Sequence, residues 1–217
     1  MKRLYYTILC AGLLASCSDA NKESADTTTK TDSVATASAP AEAAPAPPMD
    51  SAAMMKAWET YMTPGDMHKM MASWDGTWSG EVTMWMEPGA PPTKSTSVAQ
   101  NKMIFGGRYQ QATHKGNFNG MPFEGNSLLG YDNAKKVFVN NWIDNMGTGM
   151  MQLEGTWDEA SKTINFKGEC VDPMNGKNMG VRETFTVNDE NHQTMAMYMT
   201  PAGGKEFQSM EIKATRK

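Results

Sequence analysis

The sequence predicts an all-β protein: an antiparallel up-and-down barrel of about ten strands, capped by one or two short N-terminal helices. Three observations predict it. From Gly76 onward, apolar residues recur at every second position, as in Trp78, Val82, Met84 and Met86 or Met195, Met197 and Met199. Turn signals at regular spacing interrupt these runs, among them Pro88-Gly89, Gly106-Gly107, Asn119-Gly120, Asp132-Asn133, Asn175-Gly176 and Gly203-Gly204. The intervals between turns leave no room for helices, and consecutive hairpins favour closure because a closed meander has no exposed edge.

The elements before the barrel follow in order. Lys2 and Arg3 precede an apolar run from Leu4 to Ala15, shorter than the roughly 20 residues a membrane span needs. Residues 1–16 therefore read as an export signal. It ends Leu14-Ala15-Ser16-Cys17, which resembles the lipobox of bacterial lipoproteins. The resemblance implies cleavage before Cys17 and acylation of that cysteine, palmitate included. More than one chain is needed for stable anchoring, so the expected partner is a lipid bilayer reached through acylated Cys17. Ser18, in place of Asp, resembles sequences sent to the outer membrane. The expected location is the cell envelope, with the outer membrane favoured.

Residues 17–50 hold the lipidation site and a tether. Of the 33 residues from Ser18 to Asp50, 22 are Ala, Ser, Thr or Pro and none is aromatic, a composition that cannot offset its ordering entropy by burial. Residues 51–75 switch to helical spacing. Met55, Trp58 and Met62 share one face, and Met67, Met70, Met71 and Trp74 share another. Between them Thr63-Pro64-Gly65-Asp66 carries the spacing of a helix start, with Thr63 as cap. Residues 76–217 are the barrel. Ile164, Phe166 and Cys170 alternate with polar neighbours there, as do Val181, Phe185 and Val187.

The composition narrows the function. The formal charge is −4, and loss of Lys2 and Arg3 with the leader makes the mature chain more acidic still, which argues against a nucleic-acid partner. Of three cysteines, Cys10 leaves with the leader and Cys17 is acylated. Cys170 then has no partner for an internal disulfide and reads as a small core residue.

Asp75-Gly76-Thr77-Trp78 resembles the Gly-x-Trp opening of lipocalin-like (calycin) barrels. That resemblance implies a floor tryptophan, Trp78, packed against an arginine of the last strand, Arg216. A wider set includes Tyr61 to Lys69, Gly106-Gly107-Arg108-Tyr109, Pro122-Phe123-Glu124-Gly125, Gly130-Tyr131-Asp132-Asn133, Asp144 to Gly149, and the ending Met210-Glu211-Ile212 through Lys217. Together these resemble the bacterial domain of unknown function family 1579 over residues 54–217. The family implies a lipocalin-like barrel and brings no catalytic residues.

A barrel of ten strands is wider than the eight that side chains alone can fill, so the expected function is to hold a small apolar or amphipathic ligand. The candidate lining is Trp78, Met84, Arg108, Glu124, Tyr131, Trp142 and Met197. Asp144 and Arg182 belong to the same polar set, where a buried carboxylate beside an arginine would have a shifted pKa. One alternative is a structural or interaction lipoprotein with a filled core. Another is an enzyme using Glu124, Arg108 and Tyr131 on a bound ligand, which requires those three to converge. No metal or cofactor is expected. The 21 methionines could offer thioethers to Cu(I) but read as core filling, and His68, His114 and His192 lack ligand spacing. No nucleophile motif is present, no catalytic residue is assigned, and a monomer is expected.

Overall fold

The computed structural model describes residues 50–118 and 120–217. Two helices, α1 (Ser51–Met62) and α2 (Asp66–Ala72), lead into ten strands: β1 (Gly76–Met84), β2 (Thr93–Ile104), β3 (Tyr109–Phe118), β4 (Met121–Asp132), β5 (Val137–Asp144), β6 (Met151–Asp158), β7 (Thr163–Val171), β8 (Asn178–Val187), β9 (His192–Thr200) and β10 (Phe207–Arg216). Each strand pairs antiparallel with the next, and β1 pairs with β10 to close the barrel. The predicted meander is the observed one. The leader, Cys17 and the tether lie outside the described residues.

Five hairpins open on an aspartate that accepts the N–H two residues on. Asp132 takes Ala134, Asp144 takes Met146, Asp158 takes Ala160, Asp172 takes Met174 and Asp189 takes Asn191, at 2.7–2.9 Å. The carboxylate mimics a backbone turn, which is why aspartate ends these strands. Lys136 and Lys162 complete two of the turns at φ 60° and 49°.

In such a meander, alternate hairpins lie at opposite ends. The end that receives α2 is closed. Met71 and Trp74 sit over a core of Phe138, Leu153, Ile164, Phe166 and Val181, and Trp74 packs 5.0 Å from Phe185. The last carbonyls of a helix lack partners within it, and here barrel side chains supply them. Gln110 donates to Met71 O at 2.6 Å, and Trp78 Nε1 and Asn101 donate to Trp74 O. Arg216 donates to Ser73 O and Asp75 O, both at 2.7 Å, with its guanidinium carbon 4.3 Å from the Trp78 ring centre. Asp75 accepts from Gln110 and from the backbone N–H of Met103.

Two expectations about the helices change. Thr63 does not cap α2: its hydroxyl donates back to Glu59 O at 2.6 Å and closes α1. The helix starts instead at Gly65, whose N–H donates to His68 Nδ1 at 3.0 Å. The apolar face of α1 does not cover the barrel either, since no α1 residue is buried. The helix is tied on by Asn133, whose amide donates to the carbonyls of Thr60, Tyr61 and Thr63.

Candidate functional site

The alternation that builds the wall also sets which side chains face the barrel interior. The lower half of that interior, above α2, is filled by the core residues and by Trp78 and Val82, which are all buried. Toward the other end the inward residues are only half-buried: Met84 on β1, Trp142 on β5, Met151 on β6, Met197 and Met199 on β9, and Met210 on β10. The inward side chains are thus fully buried at the floor and partly exposed toward the other end. Two recesses border the mouth, one of about 160 Å³ beside Met84, Ser95 and Phe118 and one of about 360 Å³ beside Trp85, Pro88 and Phe207.

Polar side chains interrupt the apolar lining. Glu183 on β8 points inward between Val181 and Phe185, opposite Phe166 on β7 and Met197 on β9. It is buried, and among the described residues no ion pair or hydrogen bond serves its carboxyl group. Burial alone pushes its pKa up to about 7. On β3, His114 points inward, and burial lowers its imidazole to about 4. β3 and β8 are half the circumference apart, so the two groups project from opposite walls, and neither enters the causes of the other's shift. Among the described residues, Asn101 Oδ1 on β2, Asn140 Oδ1 on β5 and Gln193 Nε2 on β9 are buried without a partner, and all three sit in the packed floor half, beside Gly76, Leu153 and Val187 respectively. Buried polar atoms without partners are rare because each costs about 1–3 kcal/mol.

Trp142 forms a rigid panel of the wall. It stacks on Phe123 at 6.2 Å and 14°, meets His114 at 5.0 Å, and donates from Nε1 to Asp144 at 2.7 Å. The indole lies over Gly125, where an added Cβ would fall 2.6 Å from Trp142 Cζ2 and 3.3 Å from Phe123. Gly125→Ala should therefore push the indole into the barrel interior, costing roughly 1–3 kcal/mol as overpacking does. Urea unfolding and the tryptophan emission maximum check this. An unchanged spectrum and midpoint would mean that the panel gives way freely.

The predicted lining is only partly assembled. Trp78 and Tyr131 lie in the floor, Tyr131 against Phe138 at 4.9 Å and His68 at 5.9 Å. Met84, Trp142 and Met197 face the interior. Arg108 does not: it is exposed in the turn after β2 and donates to Phe105 O at 3.1 Å. Glu124 does not either, because Phe123 and Gly125 take the inward positions, and it pairs outside with Lys115 at 3.3 Å. Arg182 is also on the outer wall, held by Glu206 at 2.7 Å and lying 3.7 Å from the Tyr198 ring centre. Arg108, Glu124 and Tyr131 therefore do not converge, and the enzyme arrangement built on them is absent. Among the described residues, no three His, Cys, Asp or Glu side chains gather as a metal site. Glu183, Asn140 and Gln193 were left out of the sequence reading, and His114 was weighed there only as a metal ligand. Glu183 shares the parity of Val181, Phe185 and Val187, and that parity was the available signal.

Comparison with known proteins adds little chemistry. The fold is similar to that in the crystal structure of Rv2717c from M. tuberculosis, with a TM-score of 0.55 and 12% identity over 71% of this chain and 99% of that one. At that identity the likeness is one of fold alone. No curated protein matches the chain. A family model described as "Protein of unknown function (DUF1579)" matches residues 63–216.

Proposed function

The chain belongs to the DUF1579 family of proteins of unknown function, and from that premise we propose that its barrel binds a small apolar or amphipathic molecule in a chamber formed by the partly exposed half of its interior. One observation supports the reading: above a sealed floor the inward methionines Met84 and Met210 are only half-buried, and the buried Glu183 carboxyl and the His114 imidazole project inward from opposite walls. Thioether side chains adapt to irregular apolar guests. Glu183 is close to half neutral at pH 7, and a neutral carboxyl both donates and accepts. His114 is neutral there too. A hydroxyl or an amide at the polar end of the guest would suit both groups.

The neutral dye N-phenyl-1-naphthylamine tests the reading. Its fluorescence should rise saturably on titration with the protein, and Met199→Lys, which places a charge in the chamber wall, should weaken binding about tenfold, the equivalent of 1.4 kcal/mol. No saturation with the native protein, or equal binding by the variant, would end the proposal.

The proposal includes the anchor at Cys17. It is supported by Leu14-Ala15-Ser16-Cys17 after an apolar leader, and no helix among the described residues is long and apolar enough to cross a membrane. Cells given labelled palmitate should incorporate it into the native chain and not into Cys17→Ser. Equal labelling of the two would remove the anchor from the reading.

A further inference from the structure

The connections β1–β2, β3–β4, β5–β6, β7–β8 and β9–β10 all surround the open end of the barrel. Four of the five carry solvent-exposed methionine: Met86 at 63%, Met121 at 49%, Met146 and Met150 at 42% and 70%, and Met174 at 90%. Only the β9–β10 connection, Pro201 to Glu206, has none. Large apolar side chains on the surface are ordinary when scattered, but a ring of them around one opening is not. Inside the ring stands a second tier of half-buried methionines, Met84, Met151, Met179, Met199 and Met210. Methionine thus recurs from the barrel interior to the rim, where it alternates with polar residues such as Glu87, Lys94 and Ser95.

We propose that this methionine rim docks on a lipid bilayer, so that the chamber opens into the acyl layer and exchanges its guest there. The exchange rests on the chamber being a binding site; the docking does not. Three features favour a bilayer over a folded partner. The rim residues sit on four separate hairpins and form a ring, where a protein interface would present a packed patch with a buried centre. Thioethers are uncharged and conformationally adaptable, which suits a fluid surface. The chain also begins with a lipobox-like leader, and its length allows the geometry. The tether joins the barrel at α1, at the floor end, so docking by the mouth requires it to pass the whole barrel. Strands of 8–12 residues make that distance at most about 40 Å, and the 33 residues after Cys17 can span at most about 110 Å.

Methionine oxidation reads the docking site by site. The full chain, produced with its leader in a bacterial host, is placed on vesicles of phosphatidylethanolamine and phosphatidylglycerol, pulsed with hydrogen peroxide and analysed by peptide mass spectrometry. Met54, Met55 and Met62 on α1 are the internal standard, because they are 48%, 71% and 52% exposed and lie at the other end. Oxidation of the five rim methionines should be slowed several-fold relative to these three. Replacing the two most exposed, Met150→Asp with Met174→Asp, which places charges that the anionic surface repels, should leave the melting temperature and dye binding in solution unchanged while abolishing protection of the rest of the rim. That variant separates a failure of docking from a failure of the chamber. Protection of the α1 methionines instead of the rim, equal oxidation at both ends, or failure to associate with the vesicles overturns the proposal. So does rim protection that grows with protein density on the vesicles, which would show a second copy covering the mouth.

Discussion

Glu183→Gln should leave stability nearly unchanged at pH 4.5 and raise it by on the order of 3 kcal/mol at pH 8. The carboxyl ionises at about 7 when folded and at about 4.5 when exposed, and each unit of difference is worth about 1.4 kcal/mol. Its folded pKa is raised, so its contribution is fully present below pH 4.5 and is lost as pH rises through 7. The amide cannot ionise and escapes that loss. Urea unfolding of both proteins at several pH values measures the difference. A gap that stays constant from pH 4.5 to pH 8 would show that the native carboxyl ionises as it does in water, and the dry setting of the chamber's polar groups would fall with it.

His114 runs the other way. Its folded pKa is depressed from 6.5 to about 4, so its contribution is present above pH 6.5 and is lost as pH falls through 4. Between pH 4.5 and 6.5 the two slopes oppose each other, and these two groups leave native stability almost flat there. Glu183→Gln uncovers the histidine slope, so the variant gains stability from pH 4 to 6.5. A flat native profile thus conceals two strongly perturbed groups.

Most of the barrel was legible in the sequence because a strand's period of two records which face is buried. The lipocalin-like resemblance paired Trp78 with Arg216, and the structure brings them within 4.3 Å. What failed was the reading of polar residues. Glu124 and Arg108 stand near apolar and glycine motifs that drew attention, yet parity counted from Phe123 and Gly125 already places Glu124 outside. Glu183 was passed over because a charged residue on an apolar face breaks the pattern used to recognise the face. Unpaired atoms such as Asn140 Oδ1 have no sequence signature, since pairing depends on strands distant in the chain. The cap of α2 was misplaced for a related reason: Thr63 satisfies the end of α1, which left Gly65 and His68 to start the next helix.

Trp78→Ala should cost roughly 3–5 kcal/mol, the range for removing a large buried aromatic side chain. Trp78 is 2% exposed, its indole N–H donates to Trp74 O at 2.9 Å, and its ring carries the Arg216 guanidinium. The loss combines a cavity, a broken bond to the end of α2 and an unsupported arginine. Trp74 O keeps the Asn101 amide at 3.2 Å, so it is not orphaned, and the cavity dominates. Trp78→Phe, which keeps most of the ring and loses the donor, should therefore cost about 1–2 kcal/mol. A double-mutant cycle with Arg216→Ala isolates the stacking, worth about 0.5–2 kcal/mol. Trp58→Ala on the exposed α1 is the control and should fall within about 0.5 kcal/mol of native. If Trp78→Ala behaved like Trp58→Ala, the floor would not depend on this ring. A nonzero coupling between Trp78 and Arg216 is what distinguishes a floor held by their contact from one held only by the α2 carbonyls, because Arg216 still reaches Ser73 O and Asp75 O when the indole is gone.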